Sequence, residues 1–227
     1  MRENQHPDQL AIDVDLARRL LADQFPDRVD LPIVPIDSTG TENAMFRLGD
    51  DLALRLPLRP GKCVQVEKEQ RWLPRLAPQL PISVPVPLFA GHPTPEYPSP
   101  WSIVRWLPGA AATDAPCADP VASARELAQF VRALECVDPS GGPRPGSHNF
   151  GRGVPLIERD ATVRAALSEL TTRRDPSVIA SAWEDALSAP EWSAEPVWVH
   201  GDLTPANLLV ASGVWSGVID WGGRAGC

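Results

Sequence analysis

The sequence predicts an α+β protein of two lobes, a small antiparallel-sheet N-lobe followed by a mainly helical C-lobe. Three observations predict it. Strand-like runs with turn signals fill most of the first ~110 residues. Apolar residues at helical spacing dominate from residue 119 to 188. Two short apolar runs then return around VHGDLTPANLLV and IDWG.

Each element has a local reason. Residues 13–25 (DVDLARRLLADQF) put Leu16, Leu20 and Leu21 on one face with Asp13 as the N-cap, a short amphipathic helix. In MFRLGDDLALRLP, Leu52, Leu54 and Leu56 alternate with other residues after Gly49-Asp50-Asp51, which predicts a hairpin. Residues 63–77 (CVQVEKEQRWLPRLA) carry Val66, Leu73 and Leu76 at helical spacing, and Pro74 predicts a kink or an early end. ISVPVPLFA and WSIVRWLPG read as two strands around a proline-rich loop. A boundary falls near Trp106–Gly109, dividing the chain into lobes 1–108 and 109–227. Beyond it, Val121, Leu127, Phe130, Val131 and Leu134 predict a helix over 119–136, and 158–170 and 176–188 read as two more. HNFGRG, at 148–153, reads as a plain glycine-flanked loop, the less favoured alternative being that Asn149 and Arg152 face the mouth of an active site.

The bulk composition narrows the function. A net charge of -8 leaves no basic excess to neutralise phosphates, which argues against a nucleic-acid partner or an anionic membrane surface. Four scattered cysteines without a C-x-x-C pair fit reduced thiols in a cytoplasm. The polar, acidic N-terminus is no signal peptide, and no apolar run approaches the ~20 residues of a membrane span. Oligomeric state is not written in the sequence.

The chemistry concentrates in HGDLTPANLLV and the later IDWG. The order His200, Gly201, Asp202, Leu203, then Asn207 follows the pattern H-R-D-L-x-x-x-N with glycine at the arginine position. Ile219-Asp220-Trp221-Gly222 fits the D-F-G slot with Trp for Phe. Phosphoryl transfer needs one carboxylate to accept or orient the proton of the attacking hydroxyl. It also needs a carboxylate and an amide oxygen to hold Mg²⁺ against the nucleotide phosphates. Asp202 fits the first role, and Asn207 with Asp220 the second.

The ordered set HGD…N…IDWG resembles the signature of the aminoglycoside phosphotransferase family, protein-kinase-like small-molecule kinases. The resemblance extends upstream to STGTENAMFRLGDDLALRLP, VEKEQRWLPRLA and WSIVRWLPG, in the order that family uses. It implies a protein-kinase-like fold and transfer of the γ-phosphoryl of ATP (or GTP), with Mg²⁺, to a hydroxyl of a small molecule. An aminoglycoside and another hydroxylated metabolite are both open as acceptor.

Residue by residue, the resemblance implies that Ser38, Thr39, Gly40 and Asn43 belong to the loop covering the phosphates. Arg55 stands where the family often has a lysine for the α/β-phosphates, and Glu69 is the helix carboxylate that pairs with it. Read without the family, Arg55 is equally an exposed edge-strand arginine, Glu67 competes with Glu69, and both glutamates suit a solvated face. Val104 and Trp106 lie in the stretch whose backbone would meet the nucleotide base. His200 is read as a brace for the loop and Trp221 as core packing.

Family members continue well past D-W-G, whereas this chain ends in GRAGC, five residues after Gly222. The C-lobe is therefore expected to lack its C-terminal part, and its helices to leave apolar surface uncovered. The alternative function that follows is a non-catalytic, truncated nucleotide-binding remnant of such a kinase.

Overall fold

The computed structural model describes residues 10–36, 42–59, 63–146, 149, 151–170, 176–222 and 225–226. Helix α1 (Val14–Gln24) begins as its cap predicts, with Asp13 accepting from the Leu16 N–H at 2.8 Å. It lies on a five-stranded antiparallel sheet of strands β1 (Ile33–Pro35), β2 (Asn43–Leu48), β3 (Leu52–Pro57), β4 (Pro87–Gly91) and β5 (Trp101–Arg105), in spatial order β1-β2-β3-β5-β4. The β2–β3 hairpin closes with Leu48 opposite Leu52, and Gly49 takes the left-handed φ of 59° that the turn requires. Leu16, Leu20 and Leu21 bury against Phe46, Leu48, Leu54, Leu56, Trp101 and Ile103, and this is the first core.

Helix α2 (Cys63–Leu76) runs between β3 and β4. The early end offered as one outcome at Pro74 does not occur, and the helix continues through it to Leu76 before a 3₁₀ turn at Ala77–Gln79. Proline in a helix interior costs about 3 kcal/mol, while burying a large apolar side chain contributes roughly 1.5–3 kcal/mol. Trp72, Leu73 and Leu76 are all buried here, so packing outweighs the lost backbone bond.

The rest of the chain builds a second core. Strand β6 (Ala110–Ala111) pairs with β8 (Leu208–Ala211), which pairs with β9 (Val214–Val218) across a turn at Ser212 and Gly213. Helix α3 (Pro120–Glu135), capped by Asp119, contributes Phe130 and Leu134. These pack with Trp198 of β7 (Trp198–Val199), Leu208, Val218 and Trp221, and with Trp72, Leu73 and Leu76 of α2. Helix α2 thus joins the second core by its apolar face and the sheet by Gln70, whose Nε2 donates to the Trp101 carbonyl at 3.0 Å and to Ser102 Oγ at 2.9 Å.

Helices α4 (Asp160–Leu170) and α5 (Ser177–Ser188) follow the predicted spans. They are tied by Arg164 to Glu184 at 2.9 Å and by Trp183 Nε1 to Asp160 at 2.9 Å, while Val178 and Ile179 stay exposed. Strand β10 (Ala225–Gly226) pairs with β7. No helix among the described residues is long and apolar enough to cross a membrane.

One position of the sheet has no slack. Gly91 faces Trp101 across the β4–β5 pair, and a Cβ there would overlap the fully buried indole. Gly91→Ala is therefore expected to destabilise the protein by about 1–3 kcal/mol, the usual cost of overpacking, read as a lower denaturant midpoint.

Candidate active site

The site is assembled from short segments fixed by backbone hydrogen bonds. After β7 the chain turns at Gly201, whose φ of 75° is left-handed. The Thr204 N–H then donates to the Asp202 carbonyl at 2.8 Å, and the Asn207 N–H to the Thr204 carbonyl at 2.9 Å. Residues 202–207 consequently form a closed loop ending in a 3₁₀ turn, Pro205–Asn207. Asn207 Nδ2 donates to the Asp202 carbonyl at 3.0 Å and to its Oδ2 at 3.2 Å. With its nitrogen so engaged, the oxygen of the Asn207 amide is the end left to act as a ligand.

The D-W-G segment is bound to this loop directly. The Ile219 N–H donates to the Asn207 carbonyl at 2.9 Å, and Asp220 follows with φ 63°, a conformation aspartate adopts more readily than most residues. Asp202, Asn207 and Asp220 thereby share one small region, as the motif spacing implies. Behind it, His200 Nε2 sits 3.1 Å from the Ile219 carbonyl, and the ring packs edge-on to Trp221 at 4.7 Å. Trp221 in turn donates to the Val218 carbonyl at 2.9 Å. Both rings are buried and act as struts for the loop.

The sheet supplies the other wall. Arg55, on β3, forms an ion pair with Glu69 of α2, and their side chains are only 12% and 4% exposed. The edge-strand and solvated-face alternatives for these two residues are overturned by that burial, whereas Glu67 stays exposed on the opposite face of α2. Burial by itself would lower the Arg55 pKa; the charge and hydrogen bond of Glu69, with Asp220 and Glu42 behind them, outweigh it and hold the guanidinium above its ordinary value. Gly222 closes the gap between the walls. A Cβ there would lie 3.4 Å from Glu69 Oε1 and 3.5 Å from Arg55 Nη2, so the end of D-W-G rests on the buried pair.

Asn43, opposite Pro57 at the end of β2, faces the same guanidinium. With its amide oxygen turned toward Arg55, it accepts from Nε at 3.2 Å and Nη2 at 3.3 Å. Ser38, Thr39 and Gly40 lie outside the described residues. Val104 is buried in β5, between Ala53 on one side and Pro87 on the other. The Trp106 N–H donates to the Asp51 carbonyl at 2.8 Å, and its ring lies under the Arg47 guanidinium at 4.1 Å.

Two residues at the site are absent from the sequence-based set. Arg152 donates from Nε to the Gly201 carbonyl at 3.0 Å, and its guanidinium is 3.5 Å from the Asp202 carboxylate. Asn149, fully buried, accepts from the Gly146 N–H at 2.9 Å and donates to the Arg152 carbonyl at 2.8 Å. The signal was present in HNFGRG: an arginine between two glycines, both of which take positive φ (63° and 82°), is held by an unusual backbone.

The donor set suits a small hard cation. An amide oxygen from Asn207 and a carboxylate from Asp220 are oxygen ligands of the kind and number that Mg²⁺ takes from a protein when phosphate and water complete its shell.

A family model described as "Phosphotransferase enzyme family" matches residues 33–225. Among solved structures, the GDP and kanamycin complex of APH(2'')-IIIa is 20% identical with a TM-score of 0.68, over 92% of this chain and 73% of that one. The apoenzyme of the macrolide 2'-phosphotransferase MphH from Brachybacterium faecium is 25% identical with a TM-score of 0.62, over 94% of this chain and 73% of that one. The streptomycin-ATP-APH(2'')-IIa ternary complex is 15% identical with a TM-score of 0.60, over 96% of this chain and 73% of that one. No curated protein sequence matches the chain significantly.

Proposed function

The chain belongs to the phosphotransferase enzyme family, and from that premise we propose that it moves the γ-phosphoryl group of ATP or GTP to a hydroxyl of a small molecule. The observation that carries this reading is the seat of Gly222, at the end of D-W-G, on the buried Arg55–Glu69 pair, where the charge of Asp220 also favours the Arg55 cation. It supports a site in which a fixed cation from the sheet works with the oxygen donors of the helical half, as positioning a nucleoside triphosphate requires.

In this reading Asp202 accepts or orients the proton of the acceptor hydroxyl. Asn207 fixes Asp202 through its two Nδ2 contacts while offering its oxygen, with Asp220, to Mg²⁺. When bound, Mg²⁺ neutralises and aligns the phosphate oxygens. Arg55 holds the α/β-phosphates, Glu69 and Asn43 hold Arg55, and the loop containing Ser38, Thr39 and Gly40 covers the phosphates. Val104 and Trp106 wall the base, the Trp106 N–H being already engaged by Asp51. Residues 1–108 then form the nucleotide-binding lobe and 109–227 the lobe with the reacting groups, with α2 serving both. The free thiols of Cys117 and Cys136 support a cytoplasmic place of action.

The acceptor is a hydroxylated small molecule. Similar solved structures, one of an aminoglycoside phosphotransferase and one of a macrolide 2'-phosphotransferase, support those two classes as first candidates, and the acidic balance of -8 favours a cationic one.

A thermal melt with and without Mg·ATP or Mg·GTP tests the reading. The midpoint is expected to rise with nucleotide, by about 2.7 kcal/mol of added stability at a hundredfold excess over Kd. In Asp220→Asn, where asparagine keeps the left-handed backbone, that rise is expected to vanish. A melt that rises with nucleotide while no acceptor hydroxyl is phosphorylated supports the alternative, a non-catalytic nucleotide-binding remnant, and a wild-type melt blind to both nucleotides overturns both readings.

A further inference from the structure

The glycine of H-G-D leaves a space, and another part of the chain fills it. Gly201 stands where the related motif H-R-D carries an arginine. A Cβ at Gly201 would lie 2.8 Å from Arg152 Cδ, so any side chain there would displace Arg152. The Gly201 φ of 75° adds a second reason for glycine. Into this space Arg152 brings a guanidinium that donates to the Gly201 carbonyl at 3.0 Å and lies 3.5 Å from the Asp202 carboxylate.

Arg152 is itself held in place. The Asn149 side chain bridges the Gly146 N–H and the Arg152 carbonyl, and Asn149 is wholly buried. The Arg152 N–H also donates to the Asn149 carbonyl at 3.2 Å. An arginine whose backbone is fixed on a buried amide loses less freedom when it orders a neighbour than a mobile one would.

We infer that Arg152 is a positioning residue for the reaction, fixing Asp202 and the 200–207 loop from a separate segment and so supplying the guanidinium that H-G-D lacks. The inference rests on the phosphotransferase reading for what Asp202 does, but not for the contact itself. Asp202 is then gripped from two sides, by Asn207 Nδ2 at 3.2 Å and by Arg152 at 3.5 Å. The carboxylate that must meet a hydroxyl is thereby aimed before any substrate arrives.

The test compares wild type, Arg152→Ala and Arg152→Lys by hydrogen–deuterium exchange over peptides spanning 199–209, alongside nucleotide hydrolysis. Exchange in that stretch is expected to speed up in Arg152→Ala, with peptides of α1 and the β2–β3 hairpin unchanged, and to be partly restored in Arg152→Lys. The kcat of hydrolysis is expected to fall about 10–100-fold in Arg152→Ala with KM for nucleotide kept, as for a misplaced reacting group. Unchanged exchange over 199–209 in Arg152→Ala overturns the inference, and so does a raised KM with kcat intact. A failure of the phosphotransferase reading has a different signature, a wild-type melt that ignores Mg·nucleotide, and it leaves the exchange result decisive.

Discussion

Asp202→Asn is expected to leave the protein folded and still stabilised by Mg·nucleotide, while phosphoryl transfer falls by about 10²–10⁴-fold, the usual contribution of a positioned base. The two properties separate because asparagine keeps the shape of Asp202. The Asp202 carbonyl, which accepts from Thr204 and from Asn207 Nδ2, is also untouched by the change. What is lost is the carboxylate proposed to take or orient the proton of the hydroxyl. The measurement is transfer from labelled ATP or GTP across a panel of hydroxylated acceptors, with the melt run beside it. Full activity in Asp202→Asn would remove Asp202 from the chemistry. Loss of the nucleotide-dependent melt shift would instead mean that the change had damaged the binding site.

The largest effect on stability is expected from Glu69→Gln. It leaves the Arg55 guanidinium buried without its carboxylate, and breaking a buried pair on one side typically costs 3–5 kcal/mol. That is a large part of the total stability of a domain, about 5–15 kcal/mol. A double change to apolar residues, Arg55→Met with Glu69→Leu, is expected to recover most of the loss, since hydrophobic replacements of a buried pair are often neutral or better. Nucleotide stabilisation should be absent in the double variant even where its melt is restored. Denaturant midpoints and nucleotide-dependent melts of the three proteins check both parts. Recovery of stability together with nucleotide binding would mean that the pair serves the fold and not the phosphates.

Local elements were legible because their causes are local. Asp13 caps α1 because its side chain reaches an N–H three residues on, and the β2–β3 hairpin follows from alternation and one left-handed glycine. The candidate site was legible because Asp202, Asn207 and Asp220 sit within one short stretch, tied together by the Ile219 N–H on the Asn207 carbonyl. Glu69 could be separated from Glu67 only by burial, since both sit on α2 and only the fold decides which faces β3. Arg152 could be noted as a possible neighbour of the site but not given its partners, because Gly201 lies 49 residues away and no periodicity links the two. The run through Pro74 escaped for a related reason: a local rule was overruled by burial against α3 and β7, which are distant in sequence.

The double attachment of α2 has a mechanical consequence. Its polar side is fastened to the sheet through Gln70 and the Arg55–Glu69 pair, while its apolar side is embedded among Phe130, Leu134, Trp198 and Trp221. The helix therefore works as a tie rod. If the sheet rocks over the helical half, the strain falls on a few polar fastenings rather than on either packed core. Those fastenings include the cation proposed to hold the phosphates, so a seated nucleotide would act as a latch on the same joint.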